Sequence, residues 1–80
     1  MPIGIGTEGA AIVLTDSDAV RSTTSNVEVF TPSGQRLHAR TWAPAQRQLT
    51  IPIAGHHPTL IVKVTDSLSG RYITQKIAIQ

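Results

Sequence analysis

The sequence predicts an all-β domain, a small immunoglobulin-like antiparallel β-sandwich of about six to seven strands. Three observations predict it. Thr, Val and Ile are abundant, and five prolines and six glycines are dispersed along the chain, the composition of strands and turns. Apolar residues alternate with polar ones at a period of two, which places each set on one face of a sheet. Turn residues interrupt these runs at intervals of about eight to twelve residues, the spacing of a sandwich. A small open barrel fits the same pattern.

Ile3 to Ile5 reads as a first edge strand and Ala10 to Leu14 as a short apolar strand. The turn Thr15-Asp16-Ser17-Asp18 follows. Ala19-Val20-Arg21 can pair briefly before a polar loop, Ser22-Thr23-Thr24-Ser25-Asn26. Val27, Val29 and Thr31 then share one strand face, with Glu28 and Phe30 on the other. Thr31-Pro32-Ser33-Gly34 is a four-residue turn in which Pro32 pre-sets φ at the second position and Gly34 allows the exit. From Gln35 to Trp42, Leu37 and Ala39 face one way and His38, Arg40 and Trp42 the other, until Pro44 closes the strand.

Leu49, Ile51 and Ile53 alternate with Gln48, Thr50 and Pro52. A proline cannot donate to a ladder, so this strand belongs at a sheet edge or turns the Pro52 nitrogen outward. Ala54-Gly55-His56-His57-Pro58 is a loop, and Leu60, Val62 and Val64 alternate with Ile61, Lys63 and Thr65. Asp66 to Gly70 turns the chain into Tyr72 to Ile79, with Ile73, Ile77 and Ile79 on one face.

Eighty residues make a single domain, 1–80, and a chain this short buries only about 60–65% of its extended surface. The chain has no cysteines, so its core and ladders hold it without disulfides or thiolate metal sites. The net charge of +2 comes from seven basic and five acidic residues. No two basic residues are adjacent, and a nucleic-acid surface would need clustering. No apolar run reaches the ~20 residues of a membrane span. Met1-Pro2-Ile3-Gly4 lacks the basic and apolar regions of a secretory leader, and the chain reads as the C-terminal piece of a longer secreted protein.

Residues able to do chemistry are sparse, and no enzyme activity or cofactor is expected. His56 and His57, with His38 as a third ligand, are the metal candidates. Adjacent histidines in a β segment point to opposite sides, however, so a solvated turn is the expected reading. Asp16 and Asp18 form the one close acid pair, in a turn where such side chains cap backbone amides and supply too few oxygens for calcium. Nothing resembles a nucleophile motif such as Gly-x-Ser-x-Gly. Trp42 has two readings, a sugar-stacking platform or packing at the core edge, and packing is expected because Phe30 and Tyr72 are the only other aromatics. Arg36, Arg40, Arg47 and Lys63 could form a basic stripe facing an acidic partner or an anionic polysaccharide.

Val27-Glu28-Val29-Phe30-Thr31-Pro32-Ser33-Gly34-Gln35-Arg36-Leu37 resembles the V-x-V-[YF]-x-x-x-G-[RQ]-x-[VL] segment of type IX secretion system C-terminal domains. These are the sorting signals of Bacteroidetes cargo such as the gingipain proteases. Leu60-Ile61-Val62-Lys63-Val64-Thr65-Asp66 and Thr74-Gln75-Lys76-Ile77-Ala78-Ile79-Gln80 look like that family's I-V-K-V-x-D segment and its final apolar strand. The resemblance covers the chain from Val27 onward. Pro58-Thr59-Leu60 stands where the family has a Gly-x-Tyr landmark, and the upstream Y-P-N-P segment of one subtype is missing.

The resemblance implies a domain recognised by an outer-membrane translocon and removed by a sortase-like peptidase, which can join the cargo to an anionic lipopolysaccharide. The parent protein would then reach the cell surface or medium through the periplasm and outer membrane. Recognition would use the last strand, Tyr72 to Gln80, as an edge for strand addition. Lys63, Arg71 and Lys76 would be charged contacts, Ile77, Ile79 and Gln80 would form the strand's end, and Pro32, Gly34 and Gly70 would be structural turns. The alternative is a non-catalytic immunoglobulin-like binding or spacer module of a cell-surface or secretion-machinery protein. An edge-strand dimer is compatible with either.

Overall fold

The computed structural model describes residues 3–16, 23–44 and 46–79. Seven strands lie among them: β1 (Ile3–Glu8), β2 (Ala11–Asp16), β3 (Ser25–Phe30), β4 (Arg36–Trp42), β5 (Gln48–Pro52), β6 (Thr59–Asp66) and β7 (Tyr72–Ala78). They form a three-stranded sheet in the order β1-β2-β5 and a four-stranded sheet in the order β4-β3-β6-β7. Every paired neighbour is antiparallel. This is the expected all-β sandwich. Its order is that of the immunoglobulin class with the fourth strand carried on the second sheet, beside the third.

The core lies where the period-two faces of both sheets meet. Ile12 and Leu14 of β2 and Ile51 of β5 face Val27 and Val29 of β3 and Leu60, Val62 and Val64 of β6, all fully buried. Ile53 and Ile77 close its ends, and Ile3, Ile5, Leu37, Leu49 and Ile79 pack around it. Burying each such aliphatic side chain contributes about 1.5–3 kcal/mol, which is how a short chain without disulfides holds two layers together.

The first hairpin differs from the sequence reading. Glu8 pairs with Ala11, leaving Gly9 and Ala10 as a two-residue turn. Gly9 has φ 58° at the position where a type II′ turn requires glycine. The expected turn at Thr15-Asp16 is instead the end of β2, because Ile3 and Gln48 supply partners on its two sides. The strand continues until Asp16 N–H donates to Arg47 O at 2.9 Å. Ser25 and Asn26, expected in a loop, begin β3 for the same reason: Trp42 and Thr41 flank them on one side, Asp66 and Thr65 on the other. The brief pairing expected at Ala19-Val20-Arg21 and the acid pair's second member, Asp18, lie outside the described residues.

β4 also departs from simple alternation. Val29 pairs with His38 but Phe30 pairs with Arg36, so Leu37 is an extra residue. The bulge resets the faces. Leu37 packs against the core while Trp42 is fully buried in it, although strict alternation sets them on opposite faces. Trp42 Nε1–H donates to Gln46 O at 2.8 Å, satisfying its one polar atom. The sugar-platform reading of Trp42 therefore gives way to packing.

Gly34 N–H donates to Thr31 O at 2.9 Å, closing the turn that the sequence placed there. β5 is an edge strand, paired with β2 alone, and Pro52 sits in it opposite Ala11, as its missing donor demands.

Candidate functional site: the free edge of β7

Of the residues singled out for recognition, Lys63, Arg71, Lys76, Ile77 and Ile79 lie on or beside β6 and β7, at one side of the four-stranded sheet. β7 pairs with β6 from Thr65↔Tyr72 to Thr59↔Ala78 without a register shift. Among the described residues no strand is hydrogen-bonded to its other edge, although β1 of the facing sheet comes close to β7. Along such an edge the backbone N–H and C=O groups pointing outward remain available to a further strand.

Antiparallel pairing sets which β7 side chains look outward. Ile73 pairs with Val64 and Ile77 with Leu60, both core residues, so the odd positions face the other sheet. Tyr72, Thr74 and Lys76 therefore lie on the outer face, beside Thr65, Lys63 and Ile61. Lys63 Nζ stands 4.6 Å from the Tyr72 ring centroid. Such a contact contributes about 0.5–1 kcal/mol at an exposed site and fixes the ring across the strand pair. Lys76 is exposed opposite Ile61. One outer face thus carries Lys63, Lys76 and, two strands away, Arg36, whose Nη1 meets Glu28 Oε2 at 3.3 Å.

Arg71 is exposed just before β7, with its backbone tied on both sides. Its N–H donates to Ser69 Oγ at 3.2 Å, and its carbonyl accepts from Asp66 N–H at 2.8 Å. Gly70, at φ 74°, closes this turn by donating to Asp66 O at 2.9 Å. Ile77 is only 7% exposed, so a partner meets its backbone and not its side chain. Ile79 is half-buried, and its N–H donates to Pro58 O at 3.0 Å. Gln80 lies outside the described residues. Pro32 and Gly34 sit at the far end of β3 and β4 and shape that hairpin.

Three features of the edge were not read from the sequence. Ile73, counted as a core residue, keeps 37% of its surface exposed, and Tyr72 keeps 61%. Leu68, at the tip of the β6–β7 turn, is 81% exposed. β7 is an edge strand, and along it Ile77 is covered while part of Ile73 is left open. Only the strand order reveals that. The third feature is Asp66, which anchors the turn. Thr23 Oγ1 donates to it at 2.6 Å and Ser69 Oγ at 2.7 Å. These bonds lower its pKa to about 2, the Thr23 bond most. A carboxylate followed by a serine three positions on is a local signal for such a turn.

The expected basic stripe does not assemble. Arg36 and Lys63 share the outer face, whereas Arg40 occupies the inward register opposite Val27, and Arg47 precedes β5 on the other sheet. A hollow of about 340 Å³ lies over β3 and β4 beside Glu28, Arg36, Ala39, Arg40 and Thr41. His38 sits on β4 while His56 and His57 lie in the β5–β6 loop. Among the described residues no group of three or more His, Cys, Asp or Glu is placed to hold a metal ion. No helix among them is long and apolar enough to cross a membrane. No family model matches the sequence, and no curated protein matches it.

Proposed function

We propose that this chain is a sorting module, a folded sandwich that the type IX translocon reads at β7 to carry its parent protein across the outer membrane. A sortase-like peptidase would then detach it, and any lipopolysaccharide would join the cargo and not this domain. One observation carries the reading: β7 offers a regular seven-residue free edge, Tyr72–Ala78, with no proline, glycine or bulge. The resemblance supports it further. The residues that resemble the family are β3 from Val27, the turn into the start of β4, and parts of β6 and β7, all in the four-stranded sheet.

The physical mechanism is strand addition. A receptor strand laid against β7 gains main-chain hydrogen bonds for affinity, while outward side chains supply specificity. Lys63, Lys76 and Arg71 favour an acidic receptor surface. The module itself performs no chemistry in this reading.

A second reading has its own support. Ile77 and Ile79 pack in or against the core, so stability alone accounts for the final strand's apolar pattern, as a binding or spacer module requires. An export assay separates the two. The chain is fused behind a secretory leader and a fluorescent reporter in a bacterium with a type IX system. Surface signal that vanishes in a translocon-null strain supports sorting. Reporter held in the periplasm with the domain folded overturns it in favour of the spacer.

A further inference from the structure

The sandwich has four sheet edges, and they are not equally protected. β5 carries Pro52, which blocks continuation of its ladder. β4 carries the Leu37 bulge and, in the inward register opposite Val27, the charge of Arg40; both are devices that discourage edge pairing. β1 is interrupted by Gly4 and Gly6. β7 has none of these, only the single outward charge of Lys76, and its inward Ile73 is partly exposed.

A second copy of β7 pairs over the whole strand, Tyr72–Ala78, in one register. Two identical antiparallel strands related by a twofold axis normal to the sheet must pair residues of the same facing, so the axis passes through a single residue. Centring it on Lys76 sets two ammonium groups against each other. Centring it on Thr74 sets inward Ile77 against Arg71, and centring it on Ile73 sets Gln75 against Arg71. Centring it on Gln75 pairs Ile73 with Ile77 of the second copy, Lys76 with Thr74, and Tyr72 with Ala78. Apolar inward residues then meet apolar ones, no like charges are opposed, and the exposed part of Ile73 gains a cross-strand partner.

We infer that two copies of this chain associate edge to edge through β7, antiparallel and centred on Gln75, forming one eight-stranded sheet. This rests on the reading of β7 as the recognition edge and adds its regulation: the dimer covers the edge that a receptor strand would use. A single strand pair buries less than a standard stable interface, so the dimer is concentration-dependent and yields to a tighter partner.

The test uses the purified chain, which has no native cysteine. Sedimentation is expected to show monomer and dimer exchanging with concentration. Gln75→Lys, at an exposed position, opposes two charges at the twofold axis and shifts the chain to monomer while melting temperature is retained. Under mild oxidation Gln75→Cys should cross-link several-fold more than Thr74→Cys or Lys76→Cys, whose copies stand off the axis. A monomer at every concentration overturns the inference. So does a dimer that survives Gln75→Lys or shows no cross-linking preference at position 75. These readouts do not depend on export. If the reporter fusion fails to leave the periplasm while Gln75→Cys still cross-links, the sorting proposal falls and the dimer stands.

Discussion

Thr23 donates its hydroxyl proton to Asp66 Oδ1 at 2.6 Å, joining the segment before β3 to the start of the β6–β7 turn across 43 residues of sequence. Ser67 strengthens the same junction, with its N–H and Oγ both donating to Thr24 O at 3.0 and 2.7 Å. Asp66 also gathers the Ser69 hydroxyl and the N–H groups of Leu68 and Ser69. The turn that launches β7 is therefore held from outside as well as within.

The junction makes stability depend on acid in a defined sense. Asp66 has its pKa lowered to about 2 in the fold, against about 3.9 when unfolded. Its contribution is fully present above the unfolded value and is lost as pH falls from about 4 through 2. Thermal melts should therefore show Asp66→Asn less stable than the parent at pH 7. The difference should shrink on acidification toward pH 2. An unchanged difference would remove Asp66 from this role.

Trp42 is fully buried with its N–H satisfied by Gln46 O. Trp42→Ala should cost about 3–5 kcal/mol in denaturant unfolding, and Trp42→Phe less. The parent's fluorescence should be that of a water-excluded indole and should not respond to added oligosaccharide. Quenching by sugar would restore the platform reading.

Gly34 holds φ 98°, and a Cβ built there meets nothing within 4 Å. The cost of Gly34→Ala is accordingly one of backbone conformation, roughly 1–2 kcal/mol. Equilibrium unfolding measures it. A neutral substitution would mean that the turn relaxes to another form.

Lys76 and Ile77 are adjacent but separate recognition from folding. Ile77→Ala, 7% exposed and paired with Leu60, should cost about 2–5 kcal/mol. The exposed Lys76→Glu should stay within about 0.5 kcal/mol. Denaturation curves of the two variants decide it, and a large loss from Lys76→Glu would bar its use as a surface probe.

Much of the sandwich was legible because two-sided burial writes itself as alternation. Val27 and Val29, Leu49 and Ile51, and Leu60, Val62 and Val64 each mark an inward face. Pro52 marked an edge. What escaped was set by neighbours distant in sequence. Asp16 and Ser25 became strand because partners flank them on both sides, and Leu37 changed face through a bulge that alternation cannot express. The edge at β7 was visible as a strand, but the exposure of Ile73 and the placement of Lys63 on Tyr72 depend on which strands lie beside it. Asp66 read as an ordinary turn residue because Thr23, its strongest partner, is remote.

The central claim is that β7 is the surface a receptor reads, and a paired edge comparison tests it most directly. Reporter export would be measured in a type IX strain for the unaltered domain, for Tyr72→Ser with Lys76→Glu on β7, and for Arg40→Glu on the opposite edge, β4, with folding of each confirmed by its melting transition. The account predicts that the β7 pair abolishes translocon-dependent export while Arg40→Glu leaves it intact. Export undiminished by the folded β7 variant would contradict it.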